Sequence, residues 1–159
     1  MVEIIRIRNI IRKVKLFGVA FVAICFMAGC ASNPIVSVFD NNRKIASDTN
    51  TYNLINVDQT CEDGHLTASV EKMEGMDTIW NFDTEEDIVI DITYTLNVSS
   101  GKIKLVLISS EGEVSIIAEC DSELTDSSTI NVEKGNNRIK IVADENTNMF
   151  GYTLEELSE

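Results

Sequence analysis

The clearest pattern in the chain lies over Ile88–Val98, where every even position is apolar and Asp91, Thr93, Thr95 and Asn97 stand between. A period of two with one wet face predicts a half-buried β-strand. After Ser99-Ser100-Gly101 comes Lys102-Ile103-Lys104-Leu105-Val106-Leu107-Ile108, apolar on both faces toward its end, so a more central strand. Ser110-Glu111-Gly112 turns the chain into Val114–Cys120, giving consecutive hairpins. Thr129–Glu133 and Arg138–Ala143 read as strands around Lys134-Gly135-Asn136-Asn137, whose residues accept positive φ. Weaker alternation marks Leu66–Met73, Thr78–Phe82 and Phe150–Leu157. The last could be helical by propensity, but Phe150, Tyr152 and Leu154 alternate and favour a strand. Seven or eight short strands with no convincing helix predict an all-β fold, a small antiparallel β-sandwich.

The N-terminus follows another pattern. Arg6, Arg8, Arg12, Lys13 and Lys15 precede an uncharged apolar run from Leu16 to Phe26, then Met27-Ala28-Gly29-Cys30. Basic start, short apolar core and small-residue site define a secretory signal peptide. Met27–Cys30 resembles the lipobox of bacterial lipoproteins, with Met27 where Leu is usual. That resemblance implies cleavage between Gly29 and Cys30 and a diacylglycerol on Cys30. Two alternatives stand beside it. An uncleaved anchor would have only the 16 residues from Leu16 to Ala31, fewer than the ~18–20 that span a bilayer. An ordinary secreted protein would be cut near the same place. The expected organisation is a signal peptide at 1–29, lipidated cysteine and tether at 30–60, and a β-sandwich domain at 61–159. The expected location is the extracytoplasmic face of the cell membrane, with the membrane contacted through the lipid. The tether is rich in Asn, Asp, Ser and Thr, and its scattered apolar residues suggest that its later part docks as an edge strand.

Charge separates the same two pieces. The chain has 13 bases and 26 acids, but residues 30–159 hold 8 bases and 25 acids, a net −17. Such a surface repels phosphates, so nucleic acid is not expected as a partner. Catalysis has little material: His65 is the single histidine, and no phosphate-cradling loop, nucleophile elbow or paired-cysteine motif occurs. Neither an enzyme nor a cofactor is expected.

The succession MEGMDTIWNFDTEEDIVIDITYTLNVSSGKIKLVLISSEGEV, followed by STINVEKGNNRIKIVADENTNMFGYTLEEL, resembles small lipoproteins of Gram-positive bacteria. The resemblance is one of strand pattern and turns behind a lipobox. It implies a jelly-roll or galactose-binding-like β-sandwich and carries no catalytic residue.

Several residues are candidates for chemistry. Cys61 and Cys120 remain once Cys25 and Cys30 are set aside, and in an oxidising compartment they either pair or stay as two thiols. A bridge would close a loop of about 60 residues, worth roughly 4 kcal/mol in the loop-entropy model. Asp144, Asn146, Asn148 and Glu155 match positions 1, 3, 5 and 12 of a calcium loop, but Met149 stands where such a loop needs Gly. An acidic hairpin loop is the simpler reading there, and equally for Asp83-Thr84-Glu85-Glu86-Asp87. Trp80 shares parity with Thr78 and Phe82, which argues a core tryptophan over a sugar platform. The leading function is a non-enzymatic binding or interaction module with an envelope protein or glycan as partner. The alternative is a calcium- or carbohydrate-binding accessory domain.

Overall fold

The alternation over Ile88–Val98 becomes strand β3, Ile88–Ser100, with Ile92, Tyr94, Leu96 and Val98 buried. The computed structural model describes residues 38–62 and 65–157, so the signal peptide, the Gly29–Cys30 cleavage and lipidation of Cys30 lie outside the described residues. A single helical turn, α1 (Asn42–Ile45), precedes β1 (Thr51–Glu62) and β2 (His65–Thr84). After β3 come β4 (Ile103–Ile108), β5 (Val114–Cys120), β6 (Leu124–Val132), β7 (Gly135–Ala143) and β8 (Asn148–Leu157).

Every pairing is antiparallel, and the register explains the architecture. The first half of β2 pairs with β8, and its second half pairs with β7. In the same way β3 pairs with β8 and β6, while β4 pairs with β7 and β5. Four long ribbons (β2, β3–β4, β5–β6 and β7–β8) therefore bend across the middle. One layer runs β2(65–72)–β8–β3–β6 and the other β2(75–84)–β7–β4–β5, with β1 alongside β2. This is a jelly-roll β-sandwich of eight strands. Between the layers lie Leu66, Val70, Ile92, Leu96, Ile103, Leu105, Ile139, Ile141, Phe150 and Leu154.

The bends are specific. The Leu66–Met73 and Thr78–Phe82 segments are one strand, because Gly75 at φ 108° lets the backbone turn while it stays paired to Tyr52 and Ala143. Gly101 sits at φ 84°, and a Cβ there would come within 2.5 Å of the Thr147 Cα. The β3–β4 and β7–β8 corners are thus packed backbone to backbone. Thr147 is fully buried in that contact; its Oγ1 lies 2.8 Å from both Lys102 O and Asp144 Oδ1.

The expected tether boundary at residue 60 is not where the fold begins. Val38, Phe39 and Ile45 pack on Met76, Val106, Ile108 and Val142, a second apolar cluster on the outer face of the β2–β7–β4 layer. β1 then continues the fold from Thr51. Scattered apolar residues suffice for this, since a strap touches its support at a few points and needs no period.

Candidate functional site

Among the described residues, nothing covers the outer face of the other layer. Its side chains are the odd residues of β2, β3 and β8, the positions that alternation assigned to solvent. Gly151 stands in register with Ser69 on β2 and Asn97 on β3. With no side chain between those two, a trough of about 740 Å³ crosses the strands. Asn56, Ser69, Glu71, Asn97, Ser99 and Met149 line it. Met149 is 65% exposed and held at φ 44°, a backbone conformation costly for a side chain of its size. Asn56, at φ 48°, donates its amide to the Glu71 carboxylate on the trough wall.

Beside the trough, Thr60, Thr67, Thr153, Thr95 and Thr125 fall in one cross-strand row through β1, β2, β8, β3 and β6. Thr95 Oγ1 and Thr125 Oγ1 are 3.2 Å apart. At about 4.8 Å per strand, the row spreads hydroxyls and methyls over roughly 19 Å. Sequence reasoning missed both features. The wet face of β3 was visible, but the row and the gap over Gly151 depend on register between strands distant in sequence.

The sequence-derived candidates are distributed differently. Cys61 is exposed on β1 and Cys120 half-buried on β5, in different layers, and both are free thiols. Burial pushes the Cys120 thiol pKa up, with Asp121 and Glu119 adding to it. Asp144, Asn146 and Asn148 share the β7–β8 corner, but Glu155 is seven residues farther along β8, roughly 23 Å away. There Glu155 meets His65 Nδ1 at 2.7 Å. The four are not brought together as a calcium cage. Asp144 Oδ1 is instead engaged by the Asn146 N–H at 3.0 Å and by Thr147, and Asn148 donates to Asn146 O at 2.9 Å. In the acidic turn, Asp87 Oδ1 accepts from the Lys134 N–H at 2.8 Å, fastening the turn to the β6–β7 connection. Among the described residues no group of three or more His, Cys, Asp or Glu side chains is placed to hold a metal ion.

Trp80 is half-buried against the core, 5.4 Å from the Phe82 ring, and lies outside the trough. A register shift between Thr78 and Trp80 breaks the alternation, so Thr78 opposes Lys140 while Trp80 opposes Ile139 of the core.

No protein-family model matches the chain, and no curated protein matches it. Among solved structures, it is similar to a protein described under the heading of CBM4 structure and function, at 9% identity over 62% of this chain and 75% of that one, TM-score 0.37. A carbohydrate-binding module of a Cellvibrio mixtus lichenase, in complex with cellotriose, matches at 14% identity over 64% and 88%, TM-score 0.36. A β-1,3-glucan-binding module from Bacillus halodurans matches at 14% identity over 72% and 92%, TM-score 0.34. At such scores the functional reading rests on this chain's own residues.

Proposed function

We propose that this protein is a non-enzymatic binding module of the cell envelope, held at the membrane by lipid on Cys30, and that it takes up a glycan in the trough over Gly151. The trough carries the reading. Sugars offer apolar ring faces and many hydroxyls, and the wall pairs an exposed Met149 with the amides and hydroxyls of Asn56, Ser69, Asn97 and Ser99. Among the described residues, Glu71 is the one carboxylate in the lining. Glycoside hydrolysis ordinarily uses two flanking carboxyl groups, so this wall suits recognition rather than cleavage. The anchor rests on the basic, apolar and small-residue succession ending at Cys30.

Calorimetric titration of the full chain against a panel of neutral oligosaccharides tests the ligand. Gly151→Leu fills the trough and Asn97→Leu removes an amide without disturbing the floor; each is expected to weaken binding at least about tenfold, a loss of ~1.4 kcal/mol. Unchanged affinity in both variants, or no binding by the parent, overturns the reading. For the anchor, a fatty-acid probe fed to expressing cells should label the parent and leave Cys30→Ser unlabelled. An unlabelled parent would show that the lipid is not there.

A further inference from the structure

The two outer faces of the sandwich are not independent, because the segment leading to the N-terminus is fastened to one of them. Residues 38–49 cross the outer face of β2, β7 and β4. Val38, Phe39 and Ile45 cover Met76, Val106, Ile108 and Val142. Three cations on that face, which an acidic domain would ordinarily leave in water, are all taken up by the same segment. Lys104 Nζ lies 4.2 Å from the centre of the Phe39 ring. Arg138 Nη2 donates to Ala46 O at 3.0 Å, and Nη1 to the Asp48 carboxylate. Lys140 is fully buried, and its Nζ donates to Ser47 O at 2.7 Å and to Thr49 O at 3.4 Å.

Contacts are made at both ends of the segment, by Val38 and Phe39 and by residues 45–49, and leave no slack where it meets the first strand. Asn50 accepts from the Thr78 N–H at 3.0 Å and donates to Asp77 at 2.7 Å, and β1 begins at Thr51. A plain linker would have free residues before the first strand.

We propose that residues 38–49 are an orienting strap: they fix the departing chain on the face opposite the trough, so that a domain held by its N-terminus presents the trough away from its support. The proposal rests on the trough being the binding face; it does not depend on which glycan binds.

The test uses the full chain with its four cysteines replaced, captured on beads through an N-terminal tag. Single cysteines are placed on the trough side (Thr125→Cys, and separately Thr67→Cys) and on the strap side of β5 (Ile116→Cys, and separately Glu119→Cys). Each is reacted with a maleimide carried on a large dextran, on beads and in solution. The strap-side variants are expected to slow severalfold on beads, while the trough-side variants keep their solution rate. Adding Ile45→Asp, which unseats the strap, should erase the difference. Equal slowing on both sides with the strap intact overturns the proposal, as does a difference that persists with Ile45→Asp. Failure of glycan binding with the labelling difference intact would sink the ligand reading and leave the strap standing.

Discussion

The two outer faces of the sandwich arise from the same alternation and end with opposite surfaces. On the β8–β3 side the odd positions are mostly small or polar, Thr, Asn, Ser and Gly151 beside Val89, Asp91, Met149 and Glu155, and among the described residues they remain open around a trough. On the β7–β4 side the even positions mix Val106, Ile108 and Val142 with Lys104, Arg138 and Lys140. That mixture suits neither water nor a dry core. It suits one polypeptide segment that supplies apolar side chains to the aliphatic residues and a ring, carbonyls and a carboxylate to the cations. The strap and its face are a matched pair, whereas the open face lacks any partner within the described chain.

The largest break in that comparison comes from hollowing the covered side. Ile45→Ala removes a fully buried side chain from the strap, and large-to-small changes of this kind cost about 2–5 kcal/mol. On the open side, Thr67→Ala should stay within about 0.5 kcal/mol of the parent. Denaturant unfolding of both variants checks this. Equal midpoints for the two would mean that the strap contributes nothing to stability.

A smaller effect is expected at the end of the strap. Asn50 Oδ1 accepts from both the Thr78 N–H and the Thr78 hydroxyl, at 3.0 and 2.8 Å. It occupies the edge of β2 where β1 no longer pairs. Because the site is exposed, water can replace part of the loss, and Asn50→Ala should cost about 1 kcal/mol. Amide exchange at Thr78 should accelerate in the variant; an unchanged rate would show that the side chain does not protect that group.

Much of the fold was legible because alternation and turn chemistry agree with each other. β3, β4 and β5 lie where the pattern put them, with Gly101, Gly112 and Gly135 at positive φ in the turns or at their edges. β7, by contrast, starts at Gly135, inside the expected turn, because Gly135–Asn137 pair with Phe82–Thr84, and β6 starts at Leu124 rather than Thr129. The double apolar face of β4 marked it as a central strand, and in the structure Val106 and Ile108 are covered on its outer side. What covers them could not be read, because Val38, Phe39 and Ile45 have no repeat spacing. The reading of Leu66–Met73 and Thr78–Phe82 as separate segments missed in the other direction: they are one continuous strand with a bend at Gly75. For the candidate site, residue types alone pointed to Trp80 and to the Asp144 loop. Tertiary placement gave those groups structural partners and made the open surface from Gly151 and a threonine row, neither of which stands out along the chain.

The smallest expected effect is a pH dependence confined to the covered face. Burial pulls the Lys140 pKa down from 10.5 to about 8; Arg138 adds to the lowering, while Asp48 and Asp77 oppose it. Between about pH 8 and 10.5 the unfolded chain therefore binds more protons than the folded one, and stability rises with pH through that window. Tyr152 acts against this above pH 10, because burial raises its pKa beyond the ordinary 10.0 and the unfolded chain ionises first. With Cys120→Ser as the background, since the raised thiol pKa of Cys120 opposes the effect, the rise is cleanest between pH 8 and 9, where it should be about 1 kcal/mol. Lys140→Met keeps the length of the side chain and removes the titrating group, so its stability should be flat over that interval. A slope that survives in Lys140→Met would assign the proton to another group. Substitutions on the threonine row, which carries no ionisable side chain, should leave the parental slope unchanged, and that contrast with Lys140→Met separates the two faces by titration alone.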